Sequence, residues 1–386
     1  MEFRLTPEQE SLRREVCEWL RQELGADHDT DPVPVPPGYM PHREFERKLG
    51  ARGWLALNWP TEYGGSGRSN FEQFLVEEEI GLHGGPAADA LGRCIVGPFI
   101  LAFGTEEQKR EHLPRMARGE ETWCLGYTEP EVGSDLAGAQ TRAIPEGDYY
   151  LVSGRKIFSS GAHQSDFCLL VARTDPAVPK HQGISVLIVP MDAPGVTVRP
   201  LYNMLDLHEF NEVIFDNVRV PRDSRVGPEN GGWQLMNSAL GAERITVYRS
   251  FLYWRAFRAL VRYVREHDLG PRQEMARQGL AEIAIGFELA RLLLYRAVLM
   301  RDRGLDYRPE AAMVKLFNSE LAQRLYNLGV AILGLYGALR EGSPRALWSG
   351  AIAHGYLSVV QQTIGAGTSE VQRNIIALRG LGLPRG

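Results

Sequence analysis

The sequence has 386 residues, which at roughly 100–200 residues per domain corresponds to two or three domains. Hydrophobic residues make up 44% and charged residues 24%, the composition of a globular protein that can bury a large core. The net charge of −5, from 43 basic and 48 acidic side chains, argues against a nucleic-acid-binding surface over the whole chain.

The cysteines and the N-terminal residues bear on the cellular compartment. Four scattered cysteines without a CxxC pair are typical of free thiols in a reducing compartment, not of a disulfide framework or a metal site. The first ten residues, MEFRLTPEQE, lack the basic and apolar regions of a signal peptide, and no apolar run approaches ~18 residues. We therefore expect a cytoplasmic protein with no membrane span and no bound metal.

The first 120 residues have the periodicity of helices. Apolar positions over 5–24 recur at helical spacing, and a proline-rich stretch at 27–41 predicts an extended surface segment. Helical periodicity then returns at 42–53, 71–82 and 105–118. The sequence therefore predicts an all-α domain over 1–120.

A β-rich region follows at 121–229. Its short apolar runs are separated by Gly, Pro and Asp, which predicts a small sheet or barrel. The predicted strands are 123–125, 149–152, 167–172, 184–189, 196–199 and 213–215.

Helical periodicity resumes in a third domain, 230–386. The stretch 280–299 is apolar nearly all round, so we expect it to be buried in the centre of a bundle or between subunits. The predicted helices are 232–266, 272–303, 309–336 and 345–364. The fold class is thus α+β, in the order α domain, β domain, α domain.

One string of residues is far more specific than the rest. Residues 125–138 read LGYTEPEVGSDLAG, a strand followed by a turn whose hydroxyls and backbone N–H groups suit an acceptor-rich ligand. This string resembles the first signature of the acyl-CoA dehydrogenase family. Strings along the whole chain are similar to other segments of that family, at 53–65, 103–109, 215–221 and 367–374.

The resemblance implies an N-terminal α-helical domain, a central β-barrel or sheet domain and a C-terminal four-helix bundle. It also implies FAD as cofactor and the α,β-dehydrogenation of an acyl-CoA thioester, with the β-hydride passing to flavin N5 and the electrons to an electron-transfer flavoprotein. Since the family is usually tetrameric, we expect a homotetramer or a dimer of dimers.

The resemblance assigns cofactor contacts residue by residue. The family's KxWIT element reads Lys156-Ile157-Phe158-Ser159-Ser160 here, in which Phe can still stack on a ring and Ser keeps a hydroxyl. The implied FAD-binding residues are Leu125, Tyr127, Thr128, Gly133, Ser134, Phe158, Ser159, Ser160, Thr368 and Glu370.

The dehydrogenation needs a base, because the α-proton of a thioester is only weakly acidic. Most of the family uses the Glu of a YEGT string, which reads Gly365-Ala366-Gly367-Thr368 here. A minority carries the base on a bundle helix before an Arg, and Glu243-Arg244 resembles that arrangement. We therefore expect Glu243 to be the base.

The remaining substrate contacts also follow from the resemblance. The backbone N–H at Ala366 and a flavin ribityl hydroxyl would polarise the thioester carbonyl. Arg244 would orient the CoA arm or the carboxylate, Ser134 would contact the CoA arm, and Gly365 and Gly367 would line the site. Since Gly365 replaces a common Tyr, we expect a widened pocket that takes a branched, long or polycyclic acyl group.

Two alternatives stay open. Ala366, together with a degraded QxxGGxG motif at 331–337, is compatible with a catalytically silent subunit of a heteromeric acyl-CoA dehydrogenase. The same fold also serves acyl-CoA oxidases, which pass the electrons to oxygen.

Overall fold

The computed structural model describes residues 4–25, 42–86, 91–247 and 250–385, without the side chains of 238–240, 242–243, 246–247 and 250. The predicted proline-rich segment at 27–41 lies outside these ranges. The chain divides into two compact units. The first takes its residues from Met1–Pro37, Arg68–Pro86 and Arg244–Gly386, and the second from Gly38–Gly67 and Ala87–Glu243.

The helices begin where the sequence supplies N-terminal caps. Thr6, Ser69 and Thr105 each accept a hydrogen bond from a backbone N–H three residues on, and each forms a capping box with the residue at that position. The helices are α1 (Pro7–Leu24), α2 (Arg43–Ala51), α3 (Asn70–Leu82), α4 (Gly97–Phe103), α5 (Glu106–Ala117), α6 (Gly232–Val247), α7 (Trp254–Glu266), α8 (Gln273–Asp302), α9 (Arg308–Leu333), α10 (Ala351–Ser358) and α11 (Ser369–Ile375).

The second unit contains a mixed sheet that is open, not closed into a barrel. Its described strands are β1 (Trp123–Gly126), β2 (Arg142–Glu146), β3 (Tyr149–Lys156), β4 (Phe167–Arg173), β5 (Ile184–Pro190), β6 (Val196–Tyr202), β7 (His208–Pro221) and β8 (Arg225–Val226). They run in the order β6-β7-β3-β2-β4-β5-β8, and β1 lies parallel to β4.

The central strands β4 and β5 are covered on both faces. Leu169 and Val171 face one apolar cluster, while Cys168 and Leu170 face another. Burial on both faces explains why these strands read as continuous apolar runs in the sequence. The half-exposed β2, which contains Pro145, was not predicted because it lacks such a run.

Several predicted helix boundaries were wrong. Backbone angles explain one of the two cases below. The predicted helix 232–266 is two helices, α6 and α7, with a short 3-10 turn at Ser250–Tyr253 between them. The predicted helix 345–364 is reduced to α10, because Trp348 and Ser349 adopt left-handed backbone angles, with φ of 51° and 52°.

The helix α8 is buried along one side only. Ile283, Phe287 and Leu294 are buried in the first unit, whereas Ile285 is 62% exposed and Leu289 is 47% exposed. Of the two alternatives, burial in a bundle centre does not hold for this face within the described chain, whereas burial between subunits stays a prediction. None of the helices in the described ranges is long and apolar enough to cross a membrane.

Candidate active site

The first group of predicted cofactor residues lies where β1 and β3 end side by side. The Ser159 hydroxyl donates to the Leu125 carbonyl at 3.0 Å, and the Ile157 N–H donates to the Thr128 carbonyl at 2.9 Å. The Lys156 ammonium donates to the Tyr127 carbonyl at 3.0 Å. These bonds join residues 125–128 to residues 156–160 in one surface, which we call the strand-end platform.

A buried ion pair stabilises the platform from beneath. Lys156 is 0% exposed, and its Nζ lies 2.8 Å from Glu129 Oε1. The Glu129 carboxylate also accepts the backbone N–H groups of Gln140 at 2.6 Å and Thr141 at 2.8 Å. Burial acts to raise the pKa of Glu129, but the charge of Lys156 and these N–H groups outweigh it and hold that pKa below its ordinary value. Both residues lie inside the motifs, but sequence analysis gave them no role.

Several of the predicted cofactor residues at and near the platform are exposed or have hydroxyls without a partner. Phe158 is 59% exposed with φ of 58°, a left-handed conformation that costs a non-glycine residue roughly 1–2 kcal/mol. Its ring and that of Phe210 lie edge to face, with centroids 6.1 Å apart. Among the described residues, no hydrogen-bond partner is present for the hydroxyls of Thr128, Ser134 and Ser160. A Cβ added at Gly133 would meet nothing within 4 Å. Ser159, by contrast, is buried and directs its hydroxyl inward to Leu125.

A polar cluster lies behind Ser159 at one end of β7. The Asn211 side chain donates to the Ser159 carbonyl at 2.9 Å, and the Gly161 N–H donates to the Glu209 carbonyl at 3.0 Å. Glu209 is 4% exposed, and its Oε2 accepts from Asn203 at 3.1 Å, while its Oε1 has no hydrogen-bond partner in the described part of the chain. Burial raises the pKa of Glu209 to about 7. Nothing in the sequence pattern distinguished this glutamate.

The second group of predicted residues lies at 365–370 in the first unit. Ala366 and Gly367 both have left-handed backbone angles, with φ of 52° and 87°. The fully buried Gln372 side chain donates to both of their carbonyls, at 3.1 Å and 3.0 Å. Thr368 caps α11 by accepting the Val371 N–H at 3.2 Å. The Ala366 N–H has no acceptor among the residues described.

Two other predicted residues lie next to each other on α6. Glu243 is in the helix, but its side chain lies outside the described part of the structure, so its role as base stays a prediction. Arg244 is buried. Glu370 is exposed in the first turn of α11, next to the capping Thr368.

One cluster outside these groups contains side chains of metal-binding type. Cys17, Glu79 and His83 bring one potential ligand atom each within 4.8 Å of one another. Glu79 is already ion-paired with Arg13 and accepts the Cys17 thiol at 2.9 Å. Burial and this hydrogen bond raise the pKa of Cys17 to about 12, so the thiol stays protonated.

Comparison with known proteins identifies the family. The chain is 35% identical to acyl-CoA dehydrogenase FadE26 of Mycobacterium tuberculosis, over 100% of this chain and 99% of the relative. The chain belongs to the acyl-CoA dehydrogenase family. Three models of that family match in succession, for the N-terminal domain at residues 6–120, the middle domain at 124–218 and the C-terminal domain at 230–381. Members of this family generally depend on FAD.

Solved structures of other acyl-CoA dehydrogenases show the same three-part architecture. The Tcur3481-Tcur3483 steroid ACAD matches with a TM-score of 0.90 at 33% identity over 100% of both chains. The ChsE4-ChsE5 complex from Mycobacterium tuberculosis matches with a TM-score of 0.86 at 35% identity, also over 100% of both chains. Each of these structures is named for two components, and the comparisons give no support to the expected homotetramer.

Proposed function

We propose that this acyl-CoA dehydrogenase binds FAD and dehydrogenates an acyl-CoA thioester, with Glu243 as the base. The observation that carries the proposal is the strand-end platform, which brings residues 125–128 and 156–160 together. Phe158 is exposed in a costly backbone conformation, and the hydroxyls of Thr128 and Ser160 have no partner in the described residues. An exposed aromatic ring and hydroxyls without partners in one surface suit a polar ring system such as a flavin.

The proposed roles divide the reaction among residues of this chain. A bound flavin would supply the acceptor for the hydride that leaves the β-carbon. Glu243 removes the α-proton, and the Ala366 N–H donates to the thioester oxygen as negative charge develops there. Thr128, Ser134 and Ser160 offer hydroxyls to the cofactor, while Ser159 positions Leu125. Thr368, Glu370 and Arg244 remain predicted contacts.

We further propose a bulky acyl group as the substrate. Gly365 has no side chain where much of the family carries a Tyr, so a larger volume is open beside the reacting carbons. The similarity to a protein named as a steroid ACAD supports a branched or polycyclic acyl group. Faster turnover with butyryl-CoA than with long, branched or polycyclic acyl-CoAs would contradict this part of the proposal.

Anaerobic titration of the purified protein with a panel of acyl-CoAs tests the activity. We expect one of them to bleach the flavin absorbance, and Glu243→Gln to abolish the bleaching while the flavin stays bound. Glu282→Gln, which changes an exposed helical glutamate, is the matched control and should behave as wild type. Bleaching that survives in Glu243→Gln would exclude Glu243 as the base.

A second candidate is a catalytically silent subunit of a two-component acyl-CoA dehydrogenase. It is favoured by the two-component names of the similar structures. A colourless protein that co-purifies with a second acyl-CoA dehydrogenase chain would support it. If the enzyme is active, reduction of an electron-transfer flavoprotein would identify it as a dehydrogenase. Peroxide formation in air would identify it as an oxidase.

A further inference from the structure

The backbone around Ala366 is held from both sides. On the N-terminal side, the Gly365 N–H donates to the Gln361 carbonyl at 2.9 Å. On the C-terminal side, one side-chain amide, Gln372 Nε2, donates to the carbonyls of both Ala366 and Gly367. The peptide unit that carries the Ala366 N–H therefore lies between two hydrogen-bonded neighbours, which limit how far this N–H can turn.

This conformation does not persist without support. An alanine with φ of 52° lies above its right-handed conformation in free energy, because its Cβ comes too close to the following carbonyl oxygen. The two hydrogen bonds from Gln372 offset this cost, since each stabilises a carbonyl of the left-handed segment. If they were removed, Ala366 would relax to negative φ, and its N–H would turn.

The surroundings of Gln372 are built for this contact. The side chain is fully buried, and the two hydrogen bonds use both protons of its amide nitrogen. A Cβ at Gly367 would lie 2.7 Å from Gln372 Nε2, so only glycine at 367 admits the approach. The Gln372 Oε1 atom has no partner in the described residues, and burying this unpaired oxygen costs free energy.

We propose that Gln372 is a positioning residue that aims the Ala366 N–H at the thioester oxygen. The inference rests on the function proposed above, in which this N–H stabilises the developing negative charge. Gln372 does not touch the substrate in this view. It acts through the backbone, by preventing Ala366 from leaving its left-handed conformation.

The test compares Gln372→Met, which keeps the length of the side chain but removes both donors, with Gln273→Met. Gln273 is a matched control because its amide also donates to a backbone carbonyl, that of Val264 at 3.1 Å, near another helix end. In flavin-loaded protein we expect Gln372→Met to lower kcat by roughly 10- to 100-fold with little change in KM, as for a misplaced oxyanion donor. The control should retain wild-type kcat.

A spectroscopic readout separates positioning from general damage. The infrared carbonyl stretch of a bound enoyl-CoA thioester shifts down when a donor polarises the oxygen. We expect Gln372→Met to move this band back towards its position in free enoyl-CoA, while Gln273→Met leaves it unchanged. A wild-type band and a kcat within twofold of wild type in Gln372→Met would overturn the proposal, as would an equal loss in the control.

Hydrogen exchange distinguishes failure of this inference from failure of the proposed function. If no acyl-CoA reduces the wild-type flavin, the proposed function fails, but the amides of 364, 365 and 371 still report on the loop because they are hydrogen-bonded. Gln372→Met should speed their exchange relative to wild type and to Gln273→Met. Unchanged exchange would show that Gln372 does not hold Ala366.

Discussion

At the scale of single residues, side chains that belong to one sequence motif differ in burial and direction. Phe158, Ser159 and Ser160 occupy one motif, yet only Ser159 is turned inward, towards the Leu125 carbonyl. The family motif could predict where the three residues stand in the chain, but not the left-handed angle at Phe158 that exposes its ring. That angle depends on the pairing of residues 159–161 with β7, which is distant in sequence.

Glu209 gives a prediction about pH and stability. Its pKa is raised from 4.5 to about 7 by burial, so the unfolded chain loses this proton at lower pH than the native protein. The stability that the neutral group provides is present below pH 4.5 and is lost as the pH rises towards and through 7. Relative to Glu209→Gln, the wild type should lose about 2–3 kcal/mol of unfolding free energy between pH 5 and pH 8.

Denaturant unfolding of both proteins across this pH range measures the effect. Every other ionisable group is common to both proteins, so the difference between the two curves isolates Glu209. Glu107→Gln, which removes an exposed carboxylate, should follow the wild-type curve. Parallel curves for wild type and Glu209→Gln would show that folding does not raise the pKa of Glu209.

At the scale of elements, the sequence predicted what depends on local periodicity and missed what depends on distant partners. The helices α1, α3, α5, α8 and most of α9 follow from the spacing of apolar residues. The strand β7 runs well beyond its predicted core, because its ends are strands only through pairing with β3 and β6. The break before α10 left no signal, because Trp348 and Ser349 are not residues that favour left-handed angles.

The ion pair that joins the ends of β1 and β3 gives a prediction at this scale. Lys156→Met would leave the Glu129 carboxylate buried without its counter-charge, which typically costs about 3–5 kcal/mol. We expect a lower Tm and a lower flavin content, since Lys156 also bonds the Tyr127 carbonyl. Calorimetry and the ratio of flavin to protein absorbance measure these two quantities.

Two further variants make that prediction specific. Lys180→Met removes an exposed ion pair with Asp135 and should cost at most about 1 kcal/mol. The double change Lys156→Met with Glu129→Gln should recover part of the lost stability, because it removes the unpaired charge. If the double variant lost more stability than the two single changes added together, charge burial would not be the cause.

At the scale of the whole molecule, one apolar face of α8 is not covered by the described part of the chain. Ile285, Leu289 and Leu292 are 62%, 47% and 41% exposed and lie four and three residues apart, on one side of the helix. Sequence analysis predicted burial in a bundle or between subunits, and within the chain the first alternative does not hold for this face. The second alternative, burial between subunits, therefore stays the prediction for this face.

Light scattering tests this expectation. Ile285→Glu with Leu289→Glu should lower the molar mass of the assembly without lowering the Tm of the single chain, because both side chains are exposed in it. An exposed pair of polar changes on the same helix, Glu282→Gln with Glu288→Gln, provides the comparison. An unchanged molar mass in the glutamate variant would show that the face takes no part in assembly.

The position of β4 has a consequence for synthesis on the ribosome. β1 has its strand partner in β4, and the paired residues Trp123 and Phe167 are 44 positions apart. At about 5–20 residues per second, the apolar β1 emerges on the order of several seconds before that partner. The nascent chain therefore passes through a period in which β1 has no strand to pair with, and the surface that we assign to the flavin can form only after β4 has been made.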